Sequence, residues 1–218
     1  MKRKVAGVLT GLLMAALSAC GGGDYRPFDP GEAGGAPLDG AVHYALSDVF
    51  FRDPPDCIAI LPVLGAAASG LGRPIEAAAS RMIAARVPRT IGAEERRRIE
   101  RKFGLDPEST EDRGRFASLT GCRFGARPRV LVADNLYAVF WSRRRIGIAL
   151  DIVRYSDNTI LWRATHDAHR DNGGLPFSPL AIGTATARAG IALSDGEAVL
   201  SMIDDVMRRI AVTLPDIR

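Results

Sequence analysis

A chain of 218 residues, 47% of them apolar, holds enough hydrophobic side chains for one ordinary core and needs no second domain. Its 29 basic and 25 acidic residues include Lys2, Arg3 and Lys4 at the very start; without those three the balance is 26 to 25. A body so near neutrality has no overall field to draw it onto nucleic acid or anionic lipid, which excludes charge-driven nucleic-acid binding.

The first element is a leader. Lys2, Arg3 and Lys4 precede Val5–Leu17, an uncharged and mostly apolar run of 13 residues. As a helix it spans about 20 Å, short of the roughly 30 Å hydrocarbon core, so it reads as a signal-peptide centre rather than a permanent span. The run ends in Leu17-Ser18-Ala19-Cys20, which resembles the bacterial lipobox. That resemblance implies cleavage between Ala19 and Cys20, loss of residues 1–19, and covalent lipid on the Cys20 sulfur. Small residues at Ser18 and Ala19 let an extended backbone enter a protease cleft, and the thiol takes the diacylglyceryl group. Each buried acyl methylene yields about 0.8 kcal/mol, so two or three chains anchor stably where one does not. By the sorting rule of such lipoproteins, Gly21 favours the outer membrane, with the protein facing the periplasm. This lipid is the one non-protein group the sequence asks for.

Residues 20–40 follow as the lipidated cysteine and a Gly/Pro-rich stretch with little to bury, expected to be a flexible tether. A single domain is expected over 41–218. Cys57 to Leu64 is a short apolar run, as in a strand buried on both faces, with Pro62 near its end. Gly65 to Gly72 reads as a small-residue loop, and Pro74 suits the first turn of a helix to about Arg86. Ile75, Ala78, Ala79, Met82, Ile83 and Val87 give that helix its core face. Glu94 to Phe103 reads as a charged helix stopped by Gly104. Ser109 caps a shorter helix ended by Gly121. Arg129 to Trp141 reads as a strand, Ser142 to Arg145 as a turn, and Ile146, Ile148, Leu150 and Ile152 as the inward face of the next strand. Ser156 to Thr159 is a turn, after which Ile160 to Ala164 opens a return strand. Asp171 to Ala192 reads as a loop, and Ser194 to Ile210 contains a closing helix. The expected fold class is therefore α/β in layers: a mixed sheet of about four to five strands with helices packed on it.

The strand Ile58-Ala59-Ile60-Leu61-Pro62, the loop and helix after it, Arg129-Val130-Leu131-Val132 and the hairpin Ile160-Leu161-Trp162 together resemble a known group. It is the Gram-negative envelope lipoproteins with the fold of the curli secretion protein CsgG and the penicillin-binding-protein activator LpoB, with small uncharacterised lipoproteins among them. The resemblance covers residues 50 to 170 and the last helix. It implies a membrane-anchored, non-enzymatic module that meets an envelope protein partner, or a subunit that assembles with copies of itself. A secretion pore needs two long alternating hairpins per subunit, each of more than about 20 residues, and the connections here lack them.

No catalytic constellation stands out. Cys57 and Cys122 remain after lipidation; in an oxidising compartment they either bridge or stay as separate buried thiols. A bridge would contribute about 3 to 4 kcal/mol on the chain-entropy account. Thr165-His166-Asp167-Ala168-His169-Arg170-Asp171 is the one cluster resembling a metal site, and it motivates the alternative of a periplasmic metal-dependent hydrolase or metal-binding protein. On a strand, however, His166 and His169 point to opposite faces, and a solvated strand end is the plainer reading. Arg143, Arg144 and Arg145, at an expected hairpin tip, together with Asp171 and Phe177 on the loop to Ala192, are the candidate partner contacts.

Overall fold

Ile146, Ile148, Leu150 and Ile152 are all buried, and they lie on the middle strand of a seven-stranded mixed sheet. The computed structural model describes residues 24–28, 38–65, 70–138, 141–173 and 196–218. Within them the strands are β1 (Tyr25–Pro27), β2 (Val42–Leu46), β3 (Cys57–Ile60), β4 (Arg89–Ile91), β5 (Phe124–Ala138), β6 (Trp141–Arg154) and β7 (Ile160–Gly173). The helices are α1 (Asp48–Arg52), α2 (Gly72–Ala84), α3 (Ala93–Phe103), α4 (Thr110–Thr120) and α5 (Gly196–Val212). The sheet order is β1-β2-β7-β6-β5-β3-β4. β5, β6 and β7 form an antiparallel meander, β3 runs parallel to both β5 and β4, and β1 runs parallel to β2.

The expected class, a mixed sheet with helices packed on it, is what the chain adopts, with seven strands rather than four or five. The additional strands are short. Three-residue β1 and β4 and five-residue β2 are too brief to show a period of two in the sequence; ladder hydrogen bonds to longer neighbours hold them. β1 lies inside the stretch expected to be a flexible tether. Its neighbourhood is attached to the sheet through Val42 N to the Asp24 carbonyl (2.7 Å) and Phe28 N to the Tyr44 carbonyl (2.8 Å).

The helix limits follow their expected signals. Ser109 Oγ accepts the Asp112 N–H at 3.3 Å and so caps α4. Gly104 and Gly121 close α3 and α4 in the left-handed region, at φ 63° and 71°, where a side chain would be strained. One sheet face is covered by α1, α2 and α5: Ile75, Ala79 and Ile83 of α2 and Ile203, Met207 and Ile210 of α5 close over Ile58, Ile60, Ile148, Leu150 and Trp162. On the other face α3 and α4 cover only the β4-β3-β5 end. There Phe116, Leu105 and Ile91 pack with Ala59, Leu61, Val153 and Tyr155. Inside this second cluster Cys57, which opens β3, and Cys122, which follows α4, are joined in a disulfide with Cα atoms 5.1 Å apart. Among the described residues no helix is long and apolar enough to cross a membrane.

Candidate functional site

The second face of β2, β7, β6 and β5, beyond the reach of α3 and α4, carries side chains that the period of two sends away from the main core. Along β6 these are Arg143, Arg145, Gly147, Ala149 and Asp151; along β7 they are Arg163, Thr165, Asp167, His169 and Asp171. The result is a ladder of cross-strand ion pairs. Asp151, 3% exposed, accepts from Arg163 Nε at 2.8 Å and Nη2 at 3.1 Å, while Arg129 Nη2 from β5 stands 3.4 Å away. The Asp151 carboxylate raises the affinity of the Arg163 guanidinium for its proton. Asp167, also 3% exposed, accepts from Arg145 Nε at 2.8 Å and from the Gly40 N–H at 2.9 Å. Arg145 in turn donates to the Leu38 carbonyl, which ties residues 38–40 to the sheet. The missing side chain at Gly147 permits this corner, since a Cβ there would stand 2.8 Å from Val132 Cγ1 and 3.2 Å from Leu38 Cδ2.

The ladder continues outward. Asp39 Oδ1 lies 3.0 Å from His43 Nε2 and accepts the Ala41 N–H at 3.0 Å, and Arg26 of β1 reaches Asp39 Oδ2 at 3.2 Å. Hydrogen bonding from His43, then from Ala41, holds the Asp39 carboxyl below the usual carboxylate range. At the far end Arg143 Nε meets Asp171 Oδ1 at 2.8 Å, and that contact lowers the Asp171 carboxyl likewise. Asp39, Asp151, Asp167 and Asp171 are thus each engaged by a cationic or ring nitrogen. The face is a pre-ordered, charge-alternating surface whose groups already hold one another in place.

The expected sites divide on this geometry. Arg143, Arg144 and Arg145 are not at a hairpin tip: they lie within β6, opposite Asp171, Arg170 and His169 of β7. β5 and β6 pair as far as Ala138 and Trp141, because acidic cross-strand partners let arginines continue the ladder. Thr165 to Asp167 is not a solvated strand end, since Thr165, His166 and Asp167 are all buried and β7 runs on to Gly173. His166 lies on the helix-covered face with Nδ1 3.2 Å from the Ala41 carbonyl, and burial lowers its affinity for a proton. His169 stands on the opposite face, three residues along the same strand, so the two rings do not converge. Among the described residues no group of three His, Cys, Asp or Glu side chains is placed to hold a metal ion. Ala19, Cys20, Phe177 and most of the loop to Ala192 lie outside the described residues. Asp39, His43, Arg129, Asp151 and Arg163 went unread in the sequence. The signal that points to two of them, Asp151 and Arg163, is the polar series at every second position of β6 and β7, opposite the apolar series already recognised.

No protein-family model matches the chain, and no curated protein matches it. Solved structures do. The PelC dodecamer from Paraburkholderia phytofirmans is 16% identical over 78% of this chain and 96% of that one, with a TM-score of 0.41. Lipoprotein GNA1162 from Neisseria meningitidis is 13% identical over 64% of this chain and 99% of that one, also at 0.41. A minor lipoprotein from Acinetobacter baumannii is 11% identical over 73% and 91%, at 0.38. Several of the similar structures are thus bacterial lipoproteins; at such identities and scores they fix neither family nor role.

Proposed function

We propose that this chain is an exported envelope lipoprotein, anchored through lipid on Cys20, whose domain is a non-enzymatic interaction module for assembly or regulation of an envelope machine. The observation that carries the reading is the Cys57–Cys122 disulfide in a domain that follows a lipobox. Disulfides persist outside the reducing cytosol, so the leader and the folded body point to the same compartment independently. Gly21 favours the outer membrane, facing the periplasm. The ion-pair face supplies the contact surface: a partner meeting Arg143, Arg145 and Asp171 encounters charges of both signs in fixed positions, which favours specificity over non-selective attraction. Arg144 lies on β6 between Arg143 and Arg145, and Phe177, outside the described residues, follows β7 in sequence.

Mass spectrometry of the amino terminus from native membranes tests the anchor. The expected species is an acylated Cys20 at the mature start, and Cys20→Ser releases the protein from the membrane fraction. A retained leader or an unmodified Cys20 overturns the proposal. Crosslinking in cells from position 171 tests the module. One dominant envelope protein is expected, and a pattern unchanged by reversing Arg143 and Arg145 to glutamate removes the assigned contact surface.

A further inference from the structure

At the β5 margin of the ion-pair ladder, two arginines converge without an acid between them. Arg127 of β5 and Arg113 of α4 both donate through Nη2 to Asn158 Oδ1 in the β6–β7 turn, at 3.5 and 3.3 Å. Among the described residues the remaining partners of Arg113 are the Glu108 carbonyl at 3.4 Å and Thr110 Oγ1 at 3.0 Å, both neutral, and its buried Nε has no hydrogen-bond partner. Neither guanidinium has a carboxylate within 4 Å among the described residues, although most other arginines there do. Asp151, directly across the ladder from Arg127, is already taken by Arg163 and Arg129. Burial and the neighbouring Arg113 charge both weaken the hold of Arg127 on its proton, the direction expected of a cation awaiting a counter-charge.

These two side chains open onto a cavity of about 340 Å³ whose other wall is apolar: Leu61, Pro62 and Leu64 at the end of β3, with Pro107 beside them. Pockets of this size and mixed lining are typical of small-molecule sites. Glu108 also lines it, so the lining carries two positive charges and one negative. A single negative charge balances that set, whereas a dianion overshoots it.

We propose that this cavity binds a small monocarboxylate with an apolar body, its carboxylate held between Arg113 and Arg127 in place of Asn158 Oδ1 and its body against Leu61, Pro62 and Leu64. Paired planar guanidinium forks suit a carboxylate, which accepts two parallel N–H bonds at each. The site lies on the α3/α4 side of the sheet and is independent of the proposed anchor and partner surface.

The test titrates the full chain with carboxyl-labelled octanoate, followed by the 13C resonance, alongside octanol and inorganic phosphate. Octanoate is expected to bind saturably. Octanol and phosphate are each expected to bind roughly tenfold more weakly or worse, and Arg127→Gln to lose roughly tenfold or more, the cost of one charge-assisted partner. Because Arg127 is half-buried in the sheet, Arg113→Gln on α4 is measured beside it and is expected to show a loss of the same order. Absence of saturable octanoate binding overturns the assignment. So does phosphate binding as tight as octanoate, or octanoate binding that survives unchanged in a folded arginine variant.

Discussion

Asp151 illustrates how an acid is kept on a sheet face with almost no exposure to water. The carboxylate has two guanidinium partners, one from each neighbouring strand, and both reach solvent at their outer edge. Removing it leaves Arg129 and Arg163 facing each other across β6. Asp151→Ala is expected to cost on the order of 2 to 3 kcal/mol in urea unfolding, below the roughly 3 to 5 of a fully buried broken pair because the arginines stay partly hydrated. His166 behaves differently. Burial leaves its ring with a weaker hold on a proton than in the unfolded chain, against Arg209 and Asp205 of α5 and its neighbour Asp167. Below about pH 6.5 the unfolded state therefore binds more protons, and stability falls as pH is lowered, by at most about 1.4 kcal/mol per pH unit. Above that range the contribution is constant. His166→Asn is expected to flatten the dependence between about pH 6.5 and 5, measured as urea midpoints. The depressed carboxyls of Asp39, Asp171 and Asp205 titrate at lower pH and leave that window to the histidine.

Among elements, α4 is the least amphipathic of the longer helices and buries only Phe116, so its ends matter more than its face. Ser109→Ala is expected to cost about 1 kcal/mol by removing the acceptor for the Asp112 N–H, read as a lower thermal midpoint. That cap was legible in the sequence, as were the Gly104 and Gly121 stops, because each is a local requirement met by one residue. The centre of the sheet was legible for a related reason: Ile146 to Ile152 repeats at a period that only a strand satisfies. What was not legible depends on partners far along the chain. Val42–Leu46 becomes a strand because His43 to Leu46 pair with Thr165 to Trp162. Arg143 to Arg145 read as a turn because three successive charges signal solvent. They continue a strand because Asp171 stands opposite Arg143 and Asp167 pairs diagonally with Arg145.

For the whole molecule, the covalent link between the start of β3 and the end of α4 closes the long connection from β3 to β5, through α2, β4, α3 and α4. Replacing Cys57 and Cys122 together by alanine is expected to lower stability by about 3 to 4 kcal/mol in urea unfolding, with the two single variants equal to the pair. The sequence showed that an even pair of thiols survives the leader, but the sheet alone brings them to one edge: β3 pairs with β5 just after Cys122.

Both margins of the sheet are three residues wide. The outer one, Tyr25-Arg26-Pro27, contains a charged side chain and a residue with no N–H to offer; the inner one holds Arg89, whose side chain donates to the Thr120 carbonyl. Short borders, each with an arginine and one with a proline, give a neighbouring chain few main-chain groups to zip onto. Many copies crowded at high local density therefore find little main chain with which to extend the sheet, and strand-by-strand growth in the hydrogen-bonding direction is disfavoured at both edges.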